Sequence, residues 1–132
     1  MTEVVDTRFL IEHFYSDKTE TRHKTTKKLR ELVQRNEGIL PTIAIGEVIN
    51  VTCEKRGKEV ADIRYTSLIG SGLQIQDLDQ EIAKEAGLLK CRHRDIPMGD
   101  CIIAATATTK KAKVLSDDSH YDKIKEVKRT WI

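Results

Sequence analysis

Short aliphatic runs of strand length alternate along this chain with longer segments whose apolar residues recur at helical spacing, and that alternation leaves few architectures open. Val4-Val5, Ile39-Leu40-Pro41-Thr42-Ile43, Leu73-Gln74-Ile75-Gln76, Val114-Leu115-Ser116 and the closing stretch 126–132 read as strands. Pro41 suits an edge or an end, because it cannot donate to a ladder. Phe9, Leu10, His13 and Phe14 form the first helical face. Leu29, Leu32 and Val33 put an apolar stripe on segment 18–37, where seven Lys and Arg against three Glu leave a local charge of +4. A helix through Glu47, Val48, Val51 and Thr52 breaks near Gly57. Ala61, Tyr65, Leu68 and Ile69 share the next face, closed by Gly70 and Gly72. Asp79 stands as N-cap to a helix holding Ile82, Ala86 and Leu89. Asp95-Ile96-Pro97 opens an Ala- and Ile-rich helix from Met98 to about Thr109 with Pro in its first turn, and Lys110, Lys111 and Lys113 complement its C-terminal dipole. That helix is the least charged and is expected at the centre of the molecule. A short helix over 119–124 completes the set. The pattern predicts an α/β fold, three layers α/β/α around a central parallel sheet, as one domain over residues 1–132.

Right-handed crossovers send all strand C-termini to one rim, where ligands of such folds sit. Carboxylates collect at that rim. Asp6 follows the first strand, Glu47 follows the second at the opening of a helix, and Asp117 and Asp118 follow the fourth. Asp100 lies in the first turn of the apolar helix, with no basic residue in that helix before Lys110. Singly, each has an ordinary structural use: Asp6 as a helix cap, Glu47 and Asp100 as first-turn acids, and one of Asp117 and Asp118 as a turn or cap residue. Together they are costly, since two carboxylates about 4 Å apart repel by about 4 kcal/mol at an effective dielectric of about 20. Such a cluster takes up protons or binds a cation, and oxygen-only ligands suit Mg²⁺ or Mn²⁺ rather than zinc.

Other classes fall away. A net charge of +2 does not mark a nucleic-acid binder by charge alone, and aromatics at 5% are too few for a base-stacking platform. No run approaches the roughly 18 apolar residues of a membrane span, and Met1-Thr2-Glu3 lacks the layout of a signal peptide, so a cytoplasmic protein is expected. Three cysteines without a C-x-x-C pair indicate neither a disulfide framework nor a structural zinc site, and Cys53 and Cys101 are expected as core thiols. The histidines at 13, 23, 93 and 120 show no metal-ligand spacing.

Four stretches resemble the motifs of PIN-domain ribonucleases. Val4-Val5-Asp6-Thr7-Arg8-Phe9-Leu10 is similar to their opening, with an Asp after the first strand and a small hydroxyl residue next. Pro41-Thr42-Ile43-Ala44-Ile45-Gly46-Glu47-Val48 resembles the second motif, which carries a Glu. Gly99-Asp100-Cys101-Ile102-Ile103-Ala104-Ala105-Thr106-Ala107 resembles the third. Leu115-Ser116-Asp117-Asp118-Ser119-His120-Tyr121 resembles the fourth, a Thr/Ser-x-Asp with an aromatic three residues on. Order, spacing and length agree over nearly the whole chain, and the likeness is to the VapC-type toxins of toxin–antitoxin pairs. It implies an acidic quartet of Asp6, Glu47, Asp100 and Asp118, with Ser116 as the supporting hydroxyl. Two departures stand out: Ser where Thr is commoner at 116, and the extra acid Asp117, which leaves the fourth position open between Asp117 and Asp118. Tyr121 favours Asp118 by its offset.

The resemblance implies metal-dependent hydrolysis of RNA, with one or two Mg²⁺ or Mn²⁺ ions on Asp6 and Asp100 and with Glu47 and Asp118 contributing through water or at a second site. Glu47 is suited to orienting or deprotonating the attacking water. Arg8, the bases of 18–30, Arg92 and Arg94 are candidates for phosphate contacts. A homodimer and a small antitoxin partner are implied as well. A haloacid-dehalogenase-like phosphatase wants a second Asp where Arg8 stands, and a signalling receiver wants an acidic pair near the first strand. The competing reading is a non-catalytic subunit of the same fold that binds RNA or assembles without turnover.

Overall fold

The computed structural model describes residues 1–132. In chain order the elements are β1 (Glu3–Val5), α1 (Thr7–Tyr15), α2 (Thr19–Gln34), β2 (Gly38–Pro41), α3 (Thr42–Arg56), α4 (Lys58–Ile69), β3 (Gln74–Gln76), α5 (Gln80–Arg92), α6 (Met98–Lys110), β4 (Lys113–Leu115), a single 3-10 turn (Ser119–Lys123) and β5 (Arg129–Thr130). The five strands are parallel in the order β3-β2-β1-β4-β5. Strand alternation divides the core in two. Val4, Ile39 and Val114 point to one face and meet Ile82, Leu89, Ile103 and Ala104 of α5 and α6. Val5, Leu40 and Leu115 point to the other and meet Phe9, Leu32, Val48 and Leu68 of α1 to α4. The result is the three-layer α/β/α arrangement expected, with α6 the most buried helix.

Several boundaries differ from expectation, each for a local reason. The second strand stops at Pro41 instead of reaching Ile43. Thr42 already begins α3, because Ala44, Ile45, Val48 and Thr52 are buried at helical spacing. Pro97 precedes α6 instead of lying in its first turn. The last strand shrinks from 126–132 to Arg129–Thr130, since it pairs only with β4, itself three residues long. Val127 joins the core, and Trp131 meets Phe9 edge-on at 6.0 Å. Cys101 is buried as expected, but Cys53 is exposed: it falls one residue past the buried Thr52 as α3 turns outward toward Gly57. Gly57, at φ +87°, makes the break between α3 and α4. No helix is long and apolar enough to cross a membrane.

Candidate functional site

The strand order reverses at β1, whose neighbours are β2 on one side and β4 on the other, and in sheets of this kind ligands sit beyond the strand ends at that point. Asp6 leaves β1 there, its backbone N–H still bonded to Leu115 O at 3.1 Å. It occupies the cap position of α1, yet its carboxyl oxygens are engaged chiefly by side chains from elsewhere in the fold. Oδ2 accepts from the Ser116 hydroxyl at 2.6 Å and Oδ1 from the Tyr121 hydroxyl at 2.9 Å. At 2% exposure the carboxyl is short of solvation, which pushes its pKa up to about 6; the two hydroxyls oppose the rise, and the nearby Asp100 charge adds to it. Burial and the facing Asp6 drive the Tyr121 phenol well above its usual range, so it keeps the proton it donates. Ser116 is buried and held from both sides, since its oxygen also accepts from the Asp118 backbone N–H at 3.0 Å.

Asp118 and Asp100 lie across from this pair. Asp118 Oδ1 accepts from the His120 backbone N–H at 2.9 Å, which caps the 3-10 turn and fixes the carboxylate direction. Asp100, in the first turn of α6, meets the His120 ring, with Oδ2 to Nδ1 at 2.9 Å; Asp118 Oδ1 is 3.4 Å from the same nitrogen. One donor atom each from Asp100, Asp118 and His120 fit within 4.8 Å of one another. The Asp100 hydrogen bond, first of all, raises the His120 pKa.

Glu47 approaches from α3. Because the helix starts at Thr42, Glu47 lies in its second turn, not at its opening, so a first-turn role does not account for it. Thr7 Oγ1 donates to Glu47 Oε1 at 2.6 Å, and Oε2 lies 3.1 Å from where a Cβ on Gly99 would stand. The missing side chain at 99 therefore lets Glu47 lie against the start of α6, next to Asp100.

Asp117 turns away. It pairs in two-pronged fashion with Arg8, whose Nη2 is 3.1 Å from Oδ2. Of the two adjacent acids, Asp118 thus shares the pocket with Asp100, while Asp117 holds a guanidinium at its lip. Of the other bases, Arg92 lies near Glu85 and Glu126, and Lys28 pairs with Glu3. Lys18, at the start of α2, lines a separate groove of about 470 Å³ together with Glu12, Asp17, Asp117 and Trp131, and none of the four pocket acids borders it. Ligand spacing in the sequence does not single out His120. Its partner Asp100 is twenty residues away and only the fold joins them; its position two residues after Asp118 was the one available signal.

A model of the PIN domain family matches residues 4–127. No curated protein matches the sequence. Among solved structures, VapBC2 from Rickettsia felis bound to a DNA fragment from its promoter is similar over 100% of this chain and 99% of that one, with a TM-score of 0.80 and 16% identity. DNA-bound VapBC from Salmonella typhimurium follows at 0.78 and 15% identity, covering 99% and 98%. VapC20 from Mycobacterium tuberculosis, described as a sarcin–ricin loop cleaving toxin, gives 0.74 and 15% identity, covering 94% and 95%. Those likenesses are of fold. The family match takes in all four acids of the pocket and nearly the full length, and the chain belongs to the PIN domain family.

Proposed function

We propose that this protein is a metal-dependent endoribonuclease, acting as one domain over residues 1–132, and the toxin of a toxin–antitoxin pair. The convergence of Asp6, Asp100 and Asp118 at the β1–β4 crevice, with Glu47 against Gly99, carries the reading. A buried, desolvated Asp6 beside Asp100 is an arrangement a cation relieves, and oxygen donors of this kind fit Mg²⁺ or Mn²⁺. Asp6 and Asp100 are the direct ligands in this reading, with Glu47 and Asp118 acting through water or at a second site. A bound divalent ion would supply an acidified water and offset the charge that builds on the phosphate. Ser116 and Tyr121 hold the Asp6 carboxyl in one orientation through their hydroxyls. Glu47, steadied by Thr7, is placed to orient the attacking water or take its proton. Arg8 stands at the pocket lip, where an RNA phosphate competes with Asp117 for its guanidinium.

The toxin assignment is supported by the folds this chain resembles, which include a toxin–antitoxin complex and an RNA-loop-cleaving toxin. With it go a homodimer, a small antitoxin partner and action in the cytoplasm on RNA. Wild type is expected to cleave RNA from a mixed pool with Mg²⁺ or Mn²⁺ and to stop in chelator, and Asp100→Asn is expected to lose at least about 100-fold of that rate. Binding of RNA without cleavage under any divalent ion favours the non-catalytic subunit instead.

A further inference from the structure

One ring nitrogen and two carboxylate oxygens gather at the pocket mouth, close enough to be drawn onto a single ion. In an octahedral complex with bonds of about 2.1 Å, neighbouring donors lie about 3 Å apart and opposite ones about 4.2 Å. His120 Nδ1 lies 2.9 Å from Asp100 Oδ2 and 3.4 Å from Asp118 Oδ1, and all three atoms fall within 4.8 Å of each other. The ring has little freedom to leave this position. The His120 backbone N–H is tied to Asp118, and the next residue, Tyr121, is fully buried with its hydroxyl on Asp6. A single N–H on Nδ1 faces two carboxylates, so the imidazole stands where positive charge is needed, while the side chain as a whole remains 39% exposed.

Resting on the metal-dependent reading above, we propose that His120 is a direct nitrogen ligand of the divalent ion and biases this centre toward Mn²⁺ over Mg²⁺. Carboxylates serve both ions. Imidazole adds to the affinity for first-row transition ions and little to that for Mg²⁺, which holds hard oxygen ligands and its own waters. The coordinating ring is neutral imidazole with its one proton on Nε2, which needs no buried acceptor; a proton carried on Nδ1 before binding passes to solvent as the ion takes its place. The alternative, that His120 only orients Asp100 through a hydrogen bond, is separable. Asparagine can keep an N–H donor at the place of Nδ1, and the only lone pair it can put there is that of a hard amide oxygen, not an imidazole nitrogen.

Calorimetric titration of the full-length protein with MnCl₂ and with MgCl₂ separates these cases. Removing the ligand in His120→Gln or His120→Asn is expected to weaken Mn²⁺ binding by about tenfold or more and Mg²⁺ binding by less than about threefold. Electron spin echo spectra of the Mn²⁺-loaded wild type are expected to show nitrogen modulation that both variants lack. Equal losses for the two ions, or full retention of Mn²⁺ affinity in His120→Asn, overturns the ligand role and leaves the acidic centre standing. Failure of wild type to bind either ion overturns the metal-dependent reading and this one together.

Discussion

Burying the Asp6 carboxylate is the expense that the pocket imposes on the fold. In an unfolded chain an aspartate titrates near 3.9, and in the folded protein this one titrates at about 6. The folded state therefore holds the proton more tightly. Below about pH 4 both states are protonated and nothing is lost; between about pH 4 and 6 the unfolded chain sheds this proton while the fold keeps it, and above about 6 the folded state is less stable by up to about 3 kcal/mol. In chelator, Asp6→Asn should accordingly be more stable than wild type at pH 7 and lose that advantage by pH 4, as read from denaturant unfolding at each pH. Added Mn²⁺ should narrow the gap at pH 7 by binding wild type more tightly than the variant. Equal stability of the two proteins across the range contradicts a desolvated Asp6. The acids were legible in the sequence because each sits directly after a strand or early in a helix, where local pattern fixes position. His120 and the outward turn of Cys53 were not, since one depends on a contact with α6 and the other on where α3 leaves the core.

The start of α6 lies against the side of α3, and Gly99 is the residue that permits it. Its φ is ordinary, so alanine fits the backbone and should raise helix stability by up to about 1 kcal/mol. The added Cβ would lie 3.1 Å from Glu47 Oε2, so the flexible end of Glu47 must give by a few tenths of an ångström. Gly99→Ala is therefore expected to melt at or slightly above the wild-type temperature while RNA cleavage falls by about tenfold through misplacement of Glu47. Unchanged cleavage argues that Glu47 has no positional role. The same pair shows why element boundaries were harder to read than element types. Pro41 and the aliphatic residues after it fit a strand as well as a helix. Only burial of Ala44, Ile45, Val48 and Thr52 on one side settles the choice, and burial requires the neighbours.

At the scale of the whole molecule, the parallel sheet puts opposite tasks at its two rims. At the N-terminal rim the charges neutralise each other, with Met1 on Glu37 and Lys28 on the buried Glu3. At the C-terminal rim Asp100 and Asp118 meet one imidazole, Asp6 and Glu47 lie beside them, and Arg8 is the base at the lip. A near-neutral total conceals this separation. Composition could not reveal it, whereas the alternation of strands and helices could, because it implies parallel strands, whose C-terminal ends share one side whatever the strand order. The strand order itself, with β1 between β2 and β4, depends on pairings that no local pattern specifies. It is what brings Asp6 and Ser116 to adjacent strand ends and the fourth motif against the third. The central claim, that four distant stretches build one divalent-cation centre, is tested most directly by an anomalous difference map from a crystal of the protein grown with MnCl₂. The account predicts a peak within ligand distance of Asp6 and Asp100, bordered by Asp118 and His120. A map from a fully Mn²⁺-equilibrated crystal with no peak in that crevice would contradict it.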